Sequence, residues 1–480
     1  MKKMTSTDVL EKFLKTEYDY QMFDKTCSGV KIWQYVRTFV YPVVLNKLLG
    51  INSTQTSISN IRPHDEVLKT LHGWFEYKVK RNIFFANNRD VLIFSSPFRV
   101  EDGEFYYRDI HTSRIDDGLS LSHYVLDRRV APTSIVLSKS KNMLTFDIEK
   151  FEYVYGVEKN NKANKHELEC YFLQPIEREF GIVFSLKERK KIFNFANSRV
   201  FWNESFTKYC KYLIKKIKPK AILFVCLADL INQIVCEVAG ELNIPTIELQ
   251  HGTIFECIPY YFYKPSETKL SGFPDYFFSY GDYEKEISRM PIPQNHIVSV
   301  GSPEIENRLI CPSETYNSDK KKKIVFISSF FKETAEVARQ LSFLLDDEKY
   351  EVVYKLHPKE ILTWEGKMGY LFKDTKIKVI DELDSIHNYL KDADWVVGTA
   401  STGLFEATCY KHVKIAYINN YGAIDHPLIS KGKAVPVYTA FELQKTIEED
   451  SFSSNKDYDF YKLNSMANIN REIERIIASL

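Results

Sequence analysis

The chain has 480 residues, 44% apolar and 27% charged, which is the balance of a folded globular protein but too long for one ordinary core. Its formal net charge of +1 supplies no global field for nucleic acid, so any phosphate recognition must be local. Eight cysteines are scattered with no CxxC pair and no clustered histidines, which argues against structural zinc and a disulfide framework and points to a reducing cytoplasm. The opening MKKMTSTDVLEKF is basic but lacks the apolar core of a signal peptide, and no run of 18 apolar residues offers a membrane span.

Residues 1 to 88 read as a helical extension. Within it, the stretch from Ile32 to Ile51 is apolar but carries Arg37, Pro42 and Lys47, and predicts a buried helix pair. The alternative use of that stretch is a peripheral patch on the inner face of the cytoplasmic membrane, through Trp33, Tyr35, Phe39 and Tyr41. A strand is expected at 91–95, then two acidic-acidic-glycine triplets (Glu101-Asp102-Gly103 and Asp116-Asp117-Gly118), and a second strand at 134–137. Polar residues 156–168 predict an exposed loop, and 186–217 a long helix. From there strands at 221–226, 246–249, 276–279 and 297–300 alternate with helices, the signature of parallel βαβ units.

The polar, lysine-rich stretch 311–323 reads as a linker between a domain at 89–310 and another at 324–480. In the latter, strands are expected at 324–327, 351–355, 377–380, 395–397 and 414–417. The expected architecture is α/β, two Rossmann-like doubly wound domains facing across a cleft, with ligands at the carboxyl ends of their strands.

Val396-Val397-Gly398-Thr399-Ala400-Ser401-Thr402-Gly403 runs from a buried strand through a hydroxyl-rich turn into a helix, where backbone N–H groups suit a phosphate. Glu406, one turn into that helix, is placed to meet a ribose. Lys355-Leu356-His357-Pro358-Lys359 leaves another strand end, and a histidine there suits a phosphate or leaving-group oxygen. A second His-Pro pair, His426-Pro427, lacks that setting. Ser328 and Ser329 end the first strand of the series. In the first half, Gln250-His251-Gly252 ends a strand, with His251 a donor contact or base and Gly252 open to close approach. For a carboxylate base, Glu101, Asp102, Asp116, Asp117 and Asp229 all qualify by position, and Asp116 or Asp117 is preferred. Asp392-Ala393-Asp394 matches a metal-binding DxD pattern, but it lies at the entry to a buried strand and reads as structural.

The order His-Pro after a strand, then about 40 residues, then a hydroxyl turn before a helix with a glutamate resembles bacterial GT-B glycosyltransferases of surface polysaccharide synthesis. These include polysialyltransferases, capsule Kdo transferases and CDP-glycerol glycerophosphotransferases. The resemblance implies that His357, Pro358, Ser401 and Thr402 hold a cytidine nucleotide's phosphate. It implies an inverting, metal-independent transferase with no cofactor, moving a CMP-activated ulosonic acid from nucleotide to a glycan or glycolipid acceptor. Those relatives carry their base on an acidic-acidic-glycine motif where this chain has Gln250-His251-Gly252. A CDP-polyol or UDP/GDP-sugar transferase, a sugar-nucleotide 2-epimerase and a non-catalytic assembly protein are the alternatives.

Overall fold

The computed structural model describes residues 4–50, 75, 79–96, 99–101, 107–127, 138–146, 148–156, 161–255, 258–264, 270–309, 321–329, 332–358, 360–382, 384–399, 401–419, 426–455 and 459–480. The chain divides into two compact units, Met1–Glu304 with Lys462–Leu480, and Ile305–Tyr461.

In the first unit the chain forms β1 (Val91–Phe94), a hairpin of β2 (Arg99–Glu101) and β3 (Tyr107–Asp109), then β4 (His123–Asp127), β5 (Met143–Thr145), β6 (Ala221–Val225), β7 (Thr246–Leu249), β8 (Tyr276–Ser279) and β9 (Ile297–Ser299). Seven of these make one sheet in the order β5-β4-β1-β6-β7-β8-β9, every pair parallel. All residues of β1 and β6 are buried, as expected of apolar runs covered on both faces. The strand order reverses between β1 and β6, which makes their carboxyl ends a topological switch point. Neither β4 nor β5 is expected from the sequence, because β4 begins on His123 and ends on Asp127, both buried polar residues inside a short apolar run. The strand expected at 134–137 lies outside the described residues.

The N-terminal helices α1 (Ser6–Asp19) and α2 (Trp33–Leu49) belong to this unit. The segment read as a helix pair is a single helix that runs through Pro42. Of its aromatics, Trp33 and Tyr41 are buried, and Tyr35 and Phe39 pack on Phe195. No helix among the described residues is long and apolar enough to cross a membrane.

The second unit holds β10 (Lys322–Ile327), β11 (Tyr350–Lys355), β12 (Lys378–Ile380), β13 (Trp395–Gly398), β14 (Lys414–Ile418) and β15 (Ala434–Val437). They form one parallel sheet in the order β12-β11-β10-β13-β14-β15, reversing between β10 and β13. Most of the stretch read as a linker, 311–320, lies outside the described residues. Asp394 accepts from the Lys323 N–H over 2.7 Å and so closes the entry to β13, a structural role for the DxD-like pattern.

One boundary moves. The sequence predicts that 324–480 is a single domain, but the terminal helix Ser465–Ala478 packs in the first unit, with Ile469, Ile473 and Ile476 in the core of that sheet. Their spacing puts all three on one helical stripe, and tertiary packing decides which sheet that stripe covers.

Candidate functional site

Register sets the geometry of the second unit's carboxyl edge. Ile327 pairs with Lys355 on one side and with Gly398 on the other, so the loops that follow β10, β11 and β13 leave the sheet at one level. Strands lie about 4.8 Å apart, which places the β11 and β13 loops roughly 10 Å from each other with the β10 loop between them. The Ser329 hydroxyl donates to the Thr399 carbonyl, and the Tyr354 hydroxyl lies 3.3 Å from the Ser328 hydroxyl. A Cβ on Gly398 would stand 3.1 Å from the Ile327 carbonyl oxygen, a tight contact where β13 presses on β10.

Ser401 caps the helix Thr402–Ala407, its hydroxyl oxygen accepting from the Gly403 N–H over 3.3 Å. Thr402 is exposed on the first turn, and Gly403 is buried against Ile327. Thr399 is turned inward, its hydroxyl 3.4 Å from the hydroxyl of Thr334. The outward hydroxyls of this turn are therefore those of Ser401 and Thr402, and Thr399 contributes structure.

On β11, the His357 N–H donates to buried Glu360 over 3.1 Å, and the Glu360 N–H returns to the His357 carbonyl over 2.8 Å. Glu360 thus folds the turn that holds His357, half-buried, and Pro358, exposed. Lys359 lies outside the described residues.

Two expected donor contacts are placed elsewhere. Lys355 is buried, and its ammonium donates to the Glu382 carbonyl over 2.6 Å, tying β11 to the loop after β12 rather than facing a phosphate. Burial lowers its pKa, partly offset by Asp384, Glu382 and Asp381. Glu406 is engaged by His387 Nε2 at 2.5 Å, and His387 Nδ1 lies 2.8 Å from the Tyr410 hydroxyl. A ribose would have to compete with that histidine. His387 was invisible in the sequence, being a lone histidine in a short helical stretch.

In the first unit, the Gln250 side chain is buried and fully committed. Its amide donates to Glu284 (2.6 Å) and to the Gly252 carbonyl (2.9 Å), and its oxygen accepts from the Tyr280 N–H (2.6 Å). It is a strap for the strand-end loop, not a donor contact. No protein atom would meet a Cβ at Gly252 within 4 Å, so nothing in the fold demands glycine there.

His251 follows on the same loop. Burial, together with His111 at a ring separation of 6.4 Å, depresses its pKa and keeps the imidazole neutral. The Tyr261 hydroxyl lies 3.4 Å from His251 Nδ1 and donates to Glu248 Oε1 at 2.8 Å. Next to Gln250 a small, solvent-open hollow is lined by His111, Tyr280, Gly301 and Ser302, among others. Glu248 was overlooked, although a carboxylate inside the buried strand Thr246–Leu249 is itself an anomaly that needs a partner.

The preferred base candidates sit elsewhere. Asp116 accepts from His123 Nε2 (2.9 Å) and Asn142 Nδ2 (3.0 Å), residues at the beginnings of β4 and β5. That is the amino edge of the sheet, opposite the strand ends where His251 lies, so Asp116 is half of a structural ion pair. Asp117 is exposed one residue further along the same short helix. Asp229 caps the helix Leu230–Glu241. Asp102 and Gly103 lie outside the described residues.

Two parallel, doubly wound sheets, each with its own strand-order reversal, and a last helix returned to the first unit define an α/β chain of the GT-B type. No protein-family model and no curated protein sequence matches it. Among solved structures it is similar to the UDP-GlcNAc 2-epimerase of Methanocaldococcus jannaschii, at 13% identity and a TM-score of 0.45, covering 81% of this chain and 99% of that one. It is also similar to the UDP-GlcNAc 2-epimerase of Neisseria meningitidis bound to UDP-GlcNAc, at 10% identity and a TM-score of 0.45, covering 81% and 99%. A third similarity is to CalG4, the calicheamicin glycosyltransferase, at 10% identity and a TM-score of 0.41, covering 82% and 94%. Similarities of this size concern the fold alone, and strand order carries the class.

Proposed function

We propose that the chain acts on a nucleotide-activated sugar and transfers it to an acceptor hydroxyl, the second unit holding the donor phosphate. The observation that supports this is the level exit of three loops, Ser328-Ser329, His357-Pro358 and Thr399–Gly403, at a switch point of a parallel sheet. His357 and the outward hydroxyls of Ser401 and Thr402 would donate to the phosphate, and would strengthen those bonds as charge develops on the departing oxygen. The first unit would activate the acceptor. His251 is the favoured base by position, on the loop that leaves the carboxyl end of β7, whereas Asp116 is committed to His123 at the opposite edge. The favoured donor, a CMP-activated ulosonic acid, rests on the resemblance of the His-Pro and hydroxyl motifs, and transfer with inversion rests on the same ground.

Epimerisation at C2 of a UDP-sugar would use the same phosphate loops without an acceptor. A thermal-shift panel of CMP, CDP, UDP and GDP tests the donor: CMP should raise the melting temperature selectively, and His357→Ala should abolish the rise. Stabilisation by UDP alone, with turnover of a UDP-sugar in the absence of acceptor, would replace the transferase reading with the epimerase.

A further inference from the structure

Glu248 is wholly buried near the end of β7. Its Oε1 accepts from the Leu227 N–H and from the Tyr261 hydroxyl, each at 2.8 Å, while Oε2 has no hydrogen-bond partner among the described residues. Tyr261, also buried, has its hydroxyl oxygen 3.4 Å from Nδ1 of His251. A phenol has one hydrogen to donate, and two acceptors flank it.

From this geometry we infer that the ionisation state of Glu248 decides, through the Tyr261 hydroxyl, which ring nitrogen of His251 carries the proton. With Glu248 ionised, the charge-assisted bond holds the Tyr261 hydrogen on the carboxylate. The Tyr261 oxygen then faces Nδ1 with lone pairs, and the ring answers by carrying its proton at Nδ1 and its lone pair at Nε2. With Glu248 protonated on Oε1, the carboxyl donates to the Tyr261 oxygen, and the Tyr261 hydrogen turns to Nδ1. Nδ1 becomes the acceptor, and the ring proton sits at Nε2. Proton balance is simple: one proton leaves the carboxyl for solvent, and the imidazole exchanges a proton at one nitrogen for one at the other through water.

The switch falls in a useful range. Burial raises the Glu248 carboxyl to about 7, against the hydrogen bonds from Leu227 and Tyr261. The other titratable groups near this chain of contacts are Cys226 after β6, Cys236 on the helix Leu230–Glu241, Tyr260 and Tyr263 on the following loop, and His111. Burial raises the pKa of Cys236 and Tyr263, so both stay neutral through this range. Arg37, 4.6 Å over the Tyr263 ring, is neutralised by Glu17.

The consequence for catalysis rests on the proposed transferase function, since only the form with its lone pair at Nε2 makes that nitrogen a base. The tautomer itself does not depend on that reading. It is read by ¹⁵N NMR of the full chain labelled at histidine, with the His251 signals assigned from His251→Asn. The Nδ1–H form should rise from about one-tenth at pH 6 to about nine-tenths at pH 8, the span of a single ionisation near 7. Tyr261→Phe should remove the pH dependence. Glu248→Gln, whose amide oxygen at the Oε1 position accepts from the Leu227 N–H and the Tyr261 hydroxyl but cannot ionise, should hold the Nδ1–H form throughout. A wild-type tautomer that ignores pH, a His251 that becomes doubly protonated at pH 6, or a Tyr261→Phe protein that still switches overturns the inference. Switching without detectable sugar transfer would leave the inference standing and remove the transferase reading instead.

Discussion

Arg37 Nε donates to Glu17 Oε1 over 2.6 Å, and the two side chains are almost entirely removed from water. The guanidinium also donates to Glu17 Oε2 (2.8 Å) and to the carbonyls of Pro259 (2.8 Å) and Phe262 (3.1 Å). The N-terminal helices are thereby fastened to the turn that carries Tyr261. Removing one partner leaves a buried charge uncompensated, which costs about 3–5 kcal/mol. Glu17→Ala should lower the urea midpoint accordingly and loosen the Tyr261 turn, whereas Arg37→Met with Glu17→Leu should recover much of the loss. A single variant within about 0.5 kcal/mol of the parent would show the pair to be exposed.

Gly398 tests the phosphate edge. Its added Cβ would press on a backbone carbonyl of a paired central strand, which has little room to yield. Gly398→Ala should cost about 1–3 kcal/mol and weaken nucleotide binding, because the strain falls between the β10 and β13 loops. Ser401→Ala, which removes a cap, should cost about 1 kcal/mol and also reduce affinity for the nucleotide. Calorimetric titration with CMP reads both.

Asp116→Asn separates a structural from a catalytic carboxylate. Burial raises the Asp116 pKa, but hydrogen bonds from His123, Ser140 and Asn142 outweigh it and leave the pKa below the usual 3.8. His123 is raised above 6.5, burial opposing and Asp116 prevailing. The aspartate's contribution is present above about pH 4 and lost as pH falls through its folded pKa. The histidine's is full below 6.5 and lost as pH rises through its own. The variant should therefore lose most stability near pH 5 to 6, about 1–3 kcal/mol, and least near pH 9, with turnover unchanged. A large fall in kcat without loss of stability would restore Asp116 as the base.

His426 offers a second pH handle. Its ring is buried, stacked on Tyr417 at 4.1 Å, with Nδ1 lacking a hydrogen-bond partner among the described residues, and burial depresses its pKa to about 3. Neutral His426 supports the fold above the unfolded value of about 6.5, and that support is lost as pH falls toward 3. His426→Phe should therefore gain stability relative to the parent as pH drops from 7.5 to 5 in urea unfolding. An unchanged difference between those two pH values would mean that the ring is solvated.

Much of the fold was legible in the chain because burial on both faces of a parallel strand leaves a local mark. The runs at Val91–Phe94, Ala221–Val225 and Trp395–Gly398 are apolar throughout and bounded by turns. The loops at the strand ends were legible for the same reason: His357, His251 and Ser401 follow β11, β7 and β13, as the sequence predicts. What each polar side chain does there was not legible. Lys355 meets Glu382, Gln250 meets Glu284, Glu406 meets His387 and Asp116 meets His123. Each bond is set by which strands adjoin.

By itself the sequence determined the class: two series of parallel βα units, with a His-Pro loop and a hydroxyl turn at strand ends of the second. Only the tertiary structure decided that β13 turns back beside β10, that Ser465–Ala478 returns to the first sheet, and that Glu248 and Tyr261 stand behind His251. The reason is range. Hydrophobic period is written within a dozen residues, whereas strand order and hydrogen-bond partners such as Lys323 and Asp394 join residues far apart in the chain, and these exist only once the sheet has closed.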